Sequence, residues 1–475
     1  MTKRGGASLG RLLSEPARPD VVRKSARAPW LVVLTVCIGA FMGQLDASIV
    51  NMAYPDLQHD FGASLGAVEW VALSYLLVLV GIIVAVGRLA DMFGRKLLYT
   101  WGFAVFTLAS VACALAPDLP VLVILRAVQA VGAAMLQANS VALIVVAMPR
   151  ERLGRALGIQ GASQALGLAL GPSVGGVLVA AGGWRLVFWV NLPAGIIGVV
   201  LAWFLLPRTR ELAARQSLDL VGLALMIAST GALLGALSLG AARSAPSWAV
   251  LVLVVIALAA AVGLWRHTLG LVRRGGTPLL PPALFARRDF RAGILAALIG
   301  YLVLFGVLFV MPLTMERSLG ISLGRSGLVL SILPLLIGVC APLAGIMVDS
   351  LGPMVPTVIG LALAGGGLIF AAAGGVHVAV VVIALVAIGV GMGMFTPANN
   401  TGVMSAAGRT GSAVAGGVLN MTRGIGTAAG VAVAGLVFRL GSTGHTADRG
   451  FAFAAVVLAV VCLLGIIPSV RRGSR

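Results

Sequence analysis

Fourteen stretches of this sequence stay apolar for about twenty residues or longer before a short polar break interrupts them. They fall at 30–54, 67–89, 97–116, 121–148, 156–181, 185–206, 218–241, 247–269, 291–315, 326–348, 354–374, 377–399, 411–438 and 451–469. Backbone N–H and C=O groups cannot go unpaired in hydrocarbon, so each run reads as a helix that crosses a bilayer. The expected fold is an all-α polytopic membrane protein with 14 transmembrane helices, and the lipid bilayer is its first partner.

Composition excludes the soluble alternatives. Of the 475 residues, 60% are apolar and 10% are charged, where a soluble chain carries about 25% charged residues. The formal net charge of +19 raises the question of nucleic acid. The Lys and Arg residues instead sit in short blocks between apolar runs, as positive-inside loops do, so nucleic acid is not expected as a partner. Cys37, Cys113, Cys340 and Cys462 all lie inside apolar runs without metal or disulfide spacing. No metal site is expected.

Charge also sets orientation. With both termini and every even-to-odd connection on the cytoplasmic side, 26 of the 34 Lys and Arg residues collect there. Arg185, Arg243, Arg317, Arg325, Arg439 and Arg449 fall on the other side, and Arg126 and Arg423 fall within runs. The bias supports both the helix count and the orientation. Residues 1–29 read as a disordered basic cytoplasmic tail, and 470–475 as a second tail.

The break after the second run contains Gly87, Arg88, Asp91, Gly94, Arg95 and Lys96. It reads as a tight turn in which Gly87 and Gly94 give backbone freedom. Its cations mark the cytoplasmic face, and Asp91 is free to cap a helix or pair with a cation. The spacing Gly-x3-Asp-x2-Gly recurs after the tenth run at Gly345, Asp349 and Gly352, without the basic residues. A turn repeated after the second and tenth runs implies an internally duplicated chain, a common build among secondary transporters. The expected organisation is two six-helix halves, 30–206 and 291–469. Residues 207–290 hold two inserted helices and a cytoplasmic loop. The inserted helices show little polar function and read as peripheral.

The first turn resembles the loop 2–3 signature of the major facilitator superfamily. Leu45 to Pro55 resembles the first-helix motif of its fourteen-helix drug:proton antiporter branch. The resemblance covers nearly the whole chain and implies transport by alternating access. In it the Gly87–Lys96 turn, with Asp91 as its polar hub, acts as a conformational switch.

Asp46 lies inside the first run. An acid in hydrocarbon is costly and usually faces a cavity or a partner, and burial equips a carboxylate to exchange protons. Asp46 is read as the proton-coupling site, with a structural hydrogen bond to a neighbouring helix as the alternative. Arg126, on the fourth run with Gln129, is the candidate partner. At 1.5 Å rise per residue, Asp46 lies about 12 Å and Arg126 about 8 Å from the outer end, depths that permit contact directly or through Gln129. A side chain snorkelling outward is the alternative for Arg126. The stretch is similar to the family motif R-x-x-Q-G-x-G, with Ala130 in place of a glycine, and the resemblance implies a part in proton coupling.

Gly167, Gly171 and Gly175 form a smooth ridge that lets another helix approach closely, and Pro172 permits a bend. With Gly176 they match the antiporter signature G-x3-G-P-x2-G-G of exporting family members, the main reason to expect export. Trp184, Arg185, Phe188, Asn191 and Pro193 resemble W-R-x-x-F-x-x-N-x-P of the same branch and are read as an interface anchor and helix start. Asn51, Asn399, Asn400 and Arg423 are candidate cavity residues.

The expected function is secondary active export of drugs or other small amphipathic molecules in exchange for protons, by a monomer in a bacterial cytoplasmic membrane. No nucleotide-binding loop is present, so no cofactor is expected and the proton gradient is the energy source. An importer or uniporter of the same fold is the nearest rival. A sensor or scaffold would need no charges in the bilayer. An enzyme is not expected, since no catalytic pair or metal cluster appears.

Overall fold

The computed structural model describes residues 15, 17–209, 218–241, 246–321, 323–408, 412–442 and 447–470. Fourteen helices long and apolar enough to cross a membrane are present among them. Their main segments, in chain order, are α1 (Ala28–Ile49), α2 (Trp70–Phe93), α3 (Arg95–Ala114), α4 (Leu119–Ala147), α5 (Leu153–Gly182), α6 (Asn191–Leu205) and α7 (Leu220–Ala241). Then follow α8 (Ser247–Arg273), α9 (Arg288–Leu319), α10 (Ile332–Leu351), α11 (Met354–Ala373), α12 (Val378–Ala407), α13 (Ser412–Ser442) and α14 (Ala447–Leu464). The all-α, fourteen-helix expectation holds.

Helices α1–α6 and α9–α14 form the two halves. Of the two inserted helices, α8 is the least buried of the fourteen, and α7 is buried no more than α13. They pack on each other, and α7 lies along α2 and α13. Many exposed side chains on the outer surface are Leu, Ile and Val, the surface expected where lipid is the solvent.

Three expectations change. The first apolar run was expected to end at Tyr54, but the chain stays helical, through a 3-10 turn at Val50–Ala53 and a helix at Tyr54–Phe61. Pro55 sits in the first turn of that helix, where proline is tolerated because its missing N–H has no partner to lose. The stop comes at Gly62, whose φ of 58° is the left-handed conformation of a helix C-cap.

The tail expected to be disordered through residue 29 has structure where it is described; residues 1–14 and 16 lie outside the described residues. Asp20–Arg23 is a helical turn. The Glu15 carboxylate accepts hydrogen bonds from the Leu97 N–H at 3.3 Å and the Thr209 hydroxyl at 2.9 Å. An acid at the first turn of α3 satisfies orphan N–H groups and complements the helix dipole. The tail 471–475 lies outside the described residues.

The inserted pair is less bland than its sequence. Asp219, only 3% exposed, accepts from the Gly222 N–H at 2.7 Å at the start of α7, and lies 2.8 Å from Nε2 of His267 on α8. Its other oxygen accepts from the Leu279 N–H at 3.3 Å, which ties down the connection after α8.

Candidate functional site

Asp46 lies in the middle of the N-terminal half, wholly shielded from solvent. Arg126 of α4 donates from Nη1 to Asp46 Oδ2 at 2.7 Å and to Gln129 Oε1 at 2.6 Å. Gln129 Nε2 donates to Asp46 Oδ1 at 3.0 Å. The contact is therefore both direct and through Gln129, and Arg126, 1% exposed, does not snorkel outward. It remains inside because its chain is clamped: Nε donates to the Val71 carbonyl at 3.1 Å, and the guanidinium lies 4.4 Å from the Tyr75 ring centroid.

Asn191 is the member that sequence reasoning missed. It opens α6 and donates from Nδ2 to Asp46 Oδ1 at 3.0 Å and to the Ser110 hydroxyl at 3.0 Å. Ser110 in turn donates to the Phe188 carbonyl at 2.9 Å. The carboxylate thus receives donors from α4 and α6, while α2 and α3 complete the wall. Such a network satisfies the acceptor sites of a carboxylate that is shielded from solvent. Two buried polar atoms beside it, the Tyr75 hydroxyl and Asn191 Oδ1, have no hydrogen-bond partner among the described residues. The polar positions in the W-R-x-x-F-x-x-N-x-P stretch were the available signal for Asn191. Trp184 from that stretch is not a membrane-interface anchor: it is 1% exposed, and its indole N–H donates to Asp60 at 2.9 Å.

The repeated Gly-x3-Asp-x2-Gly forms a second constellation, where the halves meet. Gly87 is not in a turn. Helix α2 runs on to Phe93, and only Gly94, at φ 113°, leaves helical geometry. Gly87 is glycine for closeness, since a Cβ there would lie 2.5 Å from the Ala413 carbonyl oxygen of α13. Asp91, 3% exposed, holds Arg95 at 2.7 Å and accepts from the Val414 N–H, at the start of α13, at 3.4 Å. Arg95 and Lys96 are buried, and Arg88 is partly exposed.

The second copy does the same in reverse. Asp349 of α10 accepts from the Gly154 N–H at 2.6 Å and the Arg155 N–H at 3.1 Å, at the start of α5. A Cβ on Gly154 would lie 2.5 Å from the Gly345 carbonyl oxygen. Gly352, φ 77°, ends α10 as Gly94 ends α2. Both acids sit at helix N-termini, where unpaired N–H groups and the dipole favour negative charge.

Helix α5 carries two glycine faces. Gly154 and Gly158 meet α10 of the other half, while Gly167 and Gly171 meet α1 of their own. A Cβ on Gly167 would lie 2.5 Å from the Phe41 carbonyl oxygen, and one on Gly171 would overlap the Ser48 hydroxyl. Gly175 faces Ile49, Pro172 lies inside the helix, and Gly176 faces open space.

Of the remaining candidates, Asn51 is exposed at the end of α1, apart from Asp46. Asn399 is buried, donating to the Gly293 carbonyl at 3.0 Å. Arg423 of α13 donates to Asn420 Oδ1 at 3.0 Å and to Asn400 Oδ1.

The sequence profile of the Major Facilitator Superfamily matches residues 36–220, 219–431 and 293–472. A methylenomycin A resistance protein of Streptomyces coelicolor is 32% identical over 442 residues, 91% of this chain and 90% of the relative. The multidrug resistance protein Stp of Mycobacterium tuberculosis is 32% identical over 419 residues, 86% of this chain and 76% of Stp. Among solved structures, a human organic anion transporter superposes with a TM-score of 0.68 at 16% identity, over 93% of this chain and 99% of that one. The proton:xylose symporter XylE superposes at 0.63 and 15% identity, over 93% and 95%. The likeness to these structures shows the fold, and the profile with the curated relatives shows the family: this chain belongs to the major facilitator superfamily, in its drug-efflux branch, and is a membrane transporter rather than an enzyme.

Proposed function

We propose that this transporter exports drugs or other small amphipathic molecules in exchange for protons, from a bacterial cytoplasmic membrane with both termini in the cytoplasm. The observation that carries the reading is Asp46: an acid shut away from solvent and held by Arg126, Gln129 and Asn191. Protonating Asp46 removes the charge those donors converge on. The lattice joining α1, α4 and α6 then loosens, and α1 is free to shift.

A packed route leads from that acid to the seam between the halves. Ser48, one half-turn from Asp46, sits against Gly171 of α5, and the far end of α5 is capped by Asp349 of α10. The halves are joined at the end bearing Gly94, which the basic loops assign to the cytoplasm. This geometry corresponds to a state closed toward the cytoplasm, with the Asp91 and Asp349 contacts as its latches. Opening the seam toward the cytoplasm breaks both contacts, and re-forming them returns the site to the outside.

The experiment is accumulation of a fluorescent drug in everted vesicles energised by respiration. Uptake into everted vesicles, abolished by a protonophore and by Asp46→Asn, supports export driven by protons. Uptake by whole cells and none by everted vesicles would favour an importer of the same fold.

A further inference from the structure

The two membrane-embedded arginines have opposite surroundings. Arg126 faces a carboxylate. Arg423, 5% exposed, is surrounded by neutral groups: it donates from Nη1 to Asn420 Oδ1 at 3.0 Å and from Nη2 to Asn400 Oδ1, and its guanidinium lies 5.1 Å from the Tyr301 ring centroid. Among the described residues it has no ion-pair partner, and its Nε is buried with no acceptor. An amide oxygen satisfies a hydrogen bond but does not cancel a charge. A buried guanidinium without a counter-ion is costly, so the arrangement is incomplete as it stands.

Its position says what completes it. Asn420 also donates to the Gln137 carbonyl of α4 at 3.1 Å, and Gly424, the residue after Arg423, packs on Val80 of α2. The charge therefore lies where the C-terminal half faces the N-terminal half, the place alternating access requires for cargo. Beside it Tyr301 and Phe305 of α9 are stacked, 6.3 Å apart with 21° between planes, and both are only half-buried. We infer that Arg423, with Asn400 and Asn420, is the recognition site for the anionic group of an organic anion, and that Tyr301 and Phe305 seat its ring. A carboxylate or sulfonate there supplies the missing counter-charge and accepts from the idle Nε. The planar guanidinium suits such a group through paired N–H donors. This inference rests on the transport reading above and names its substrate class.

The test is ligand-dependent thermal unfolding of the purified full-length chain, in which no proton gradient takes part. The probes are 1-naphthoate and 1-naphthalenesulfonate, with 1-naphthylmethylamine as the matched cation. The two anions are expected to raise the melting temperature and the amine to leave it unchanged. Arg423→Gln should weaken anion binding about tenfold or more, the loss of a charge-assisted hydrogen bond, with a ligand-free melting temperature no lower than that of the natural chain. Asn400→Asp supplies the counter-charge from within, so it should raise the ligand-free melting temperature and abolish the anion response. Stabilisation by the amine as strong as by the anions, no response to either anion, or unaltered anion binding in Arg423→Gln would overturn the assignment. Anion binding that persists while Asp46→Asn leaves export intact would sink proton coupling and keep the anion site.

Discussion

Asp91 and Asp349 each cap a helix that belongs to the other half of the molecule. Asp91 of the N-terminal half receives the Val414 N–H at the start of α13, and Asp349 of the C-terminal half receives the Gly154 and Arg155 N–H groups at the start of α5. The duplicated chain thus builds one seam from two reciprocal contacts. They differ in one respect: Asp91 is also held by Arg95, whereas Asp349 spends both oxygens across the seam.

That difference predicts which latch is stronger. A carboxylate at a helix N-terminus contributes about 0.3–1 kcal/mol through the dipole, and up to about 2 when partly buried. Asp349→Asn should therefore shift the population toward the cytoplasm-open state more than Asp91→Asn does. Spin labels at Arg150 and Ser350, both exposed beside the α5–α10 contact, report it as growth of a longer distance component. No change on Asp349→Asn would remove the latch.

The Asp46–Arg126 pair predicts a non-additive pattern. Removing one member of a buried ion pair costs about 3–5 kcal/mol because the other is left uncompensated. Asp46→Asn and Arg126→Gln should each lower the melting temperature strongly. The double variant should melt above Arg126→Gln alone. Equal and additive losses would mean that the two side chains act independently.

The glycines of α5 separate by what they face. Gly171→Val pushes a side chain into Ser48 and Ile49 of α1, while Gly176→Ala meets nothing within 4 Å. The first should abolish folded protein, as overpacking costs about 1–3 kcal/mol or more, and the second should be neutral. Detergent-solubilised yield and melting temperature read both. A damaging Gly176→Ala would mean that this residue faces a partner in the other transport state.

Asn191 should matter to coupling more than to fold. Asn191→Leu removes a donor to Asp46 and to Ser110 while keeping the bulk of the side chain. Gradient-driven export should fall, and substrate exchange without a gradient should be spared. Equal loss of both would make Asn191 a purely structural residue.

Helix number, duplication and the Asp46–Arg126 pair were legible because each leaves a local mark: a long apolar run, a repeated spacing, an ion in hydrocarbon. Ser110 and Tyr75 leave none, and the motif around Asn191 does not say that it reaches Asp46. Their helices are apolar on nearly all sides, so periodicity does not say which face is inward, and they converge from three separate runs. Gly87 was misread for another reason. Glycine serves both a reversing backbone and a close helix contact, and the spacing Gly-x3-Asp-x2-Gly uses it for contact first and for the turn second. Glu15 was hidden because its partners, Leu97 and Thr209, are brought to it only by the folded bundle.

Proton coupling at Asp46 is read from lumen pH in everted vesicles energised by respiration. Adding a transported compound should release protons from the lumen with the natural chain and not with Asp46→Asn. Proton release that continues unchanged in Asp46→Asn would contradict that coupling.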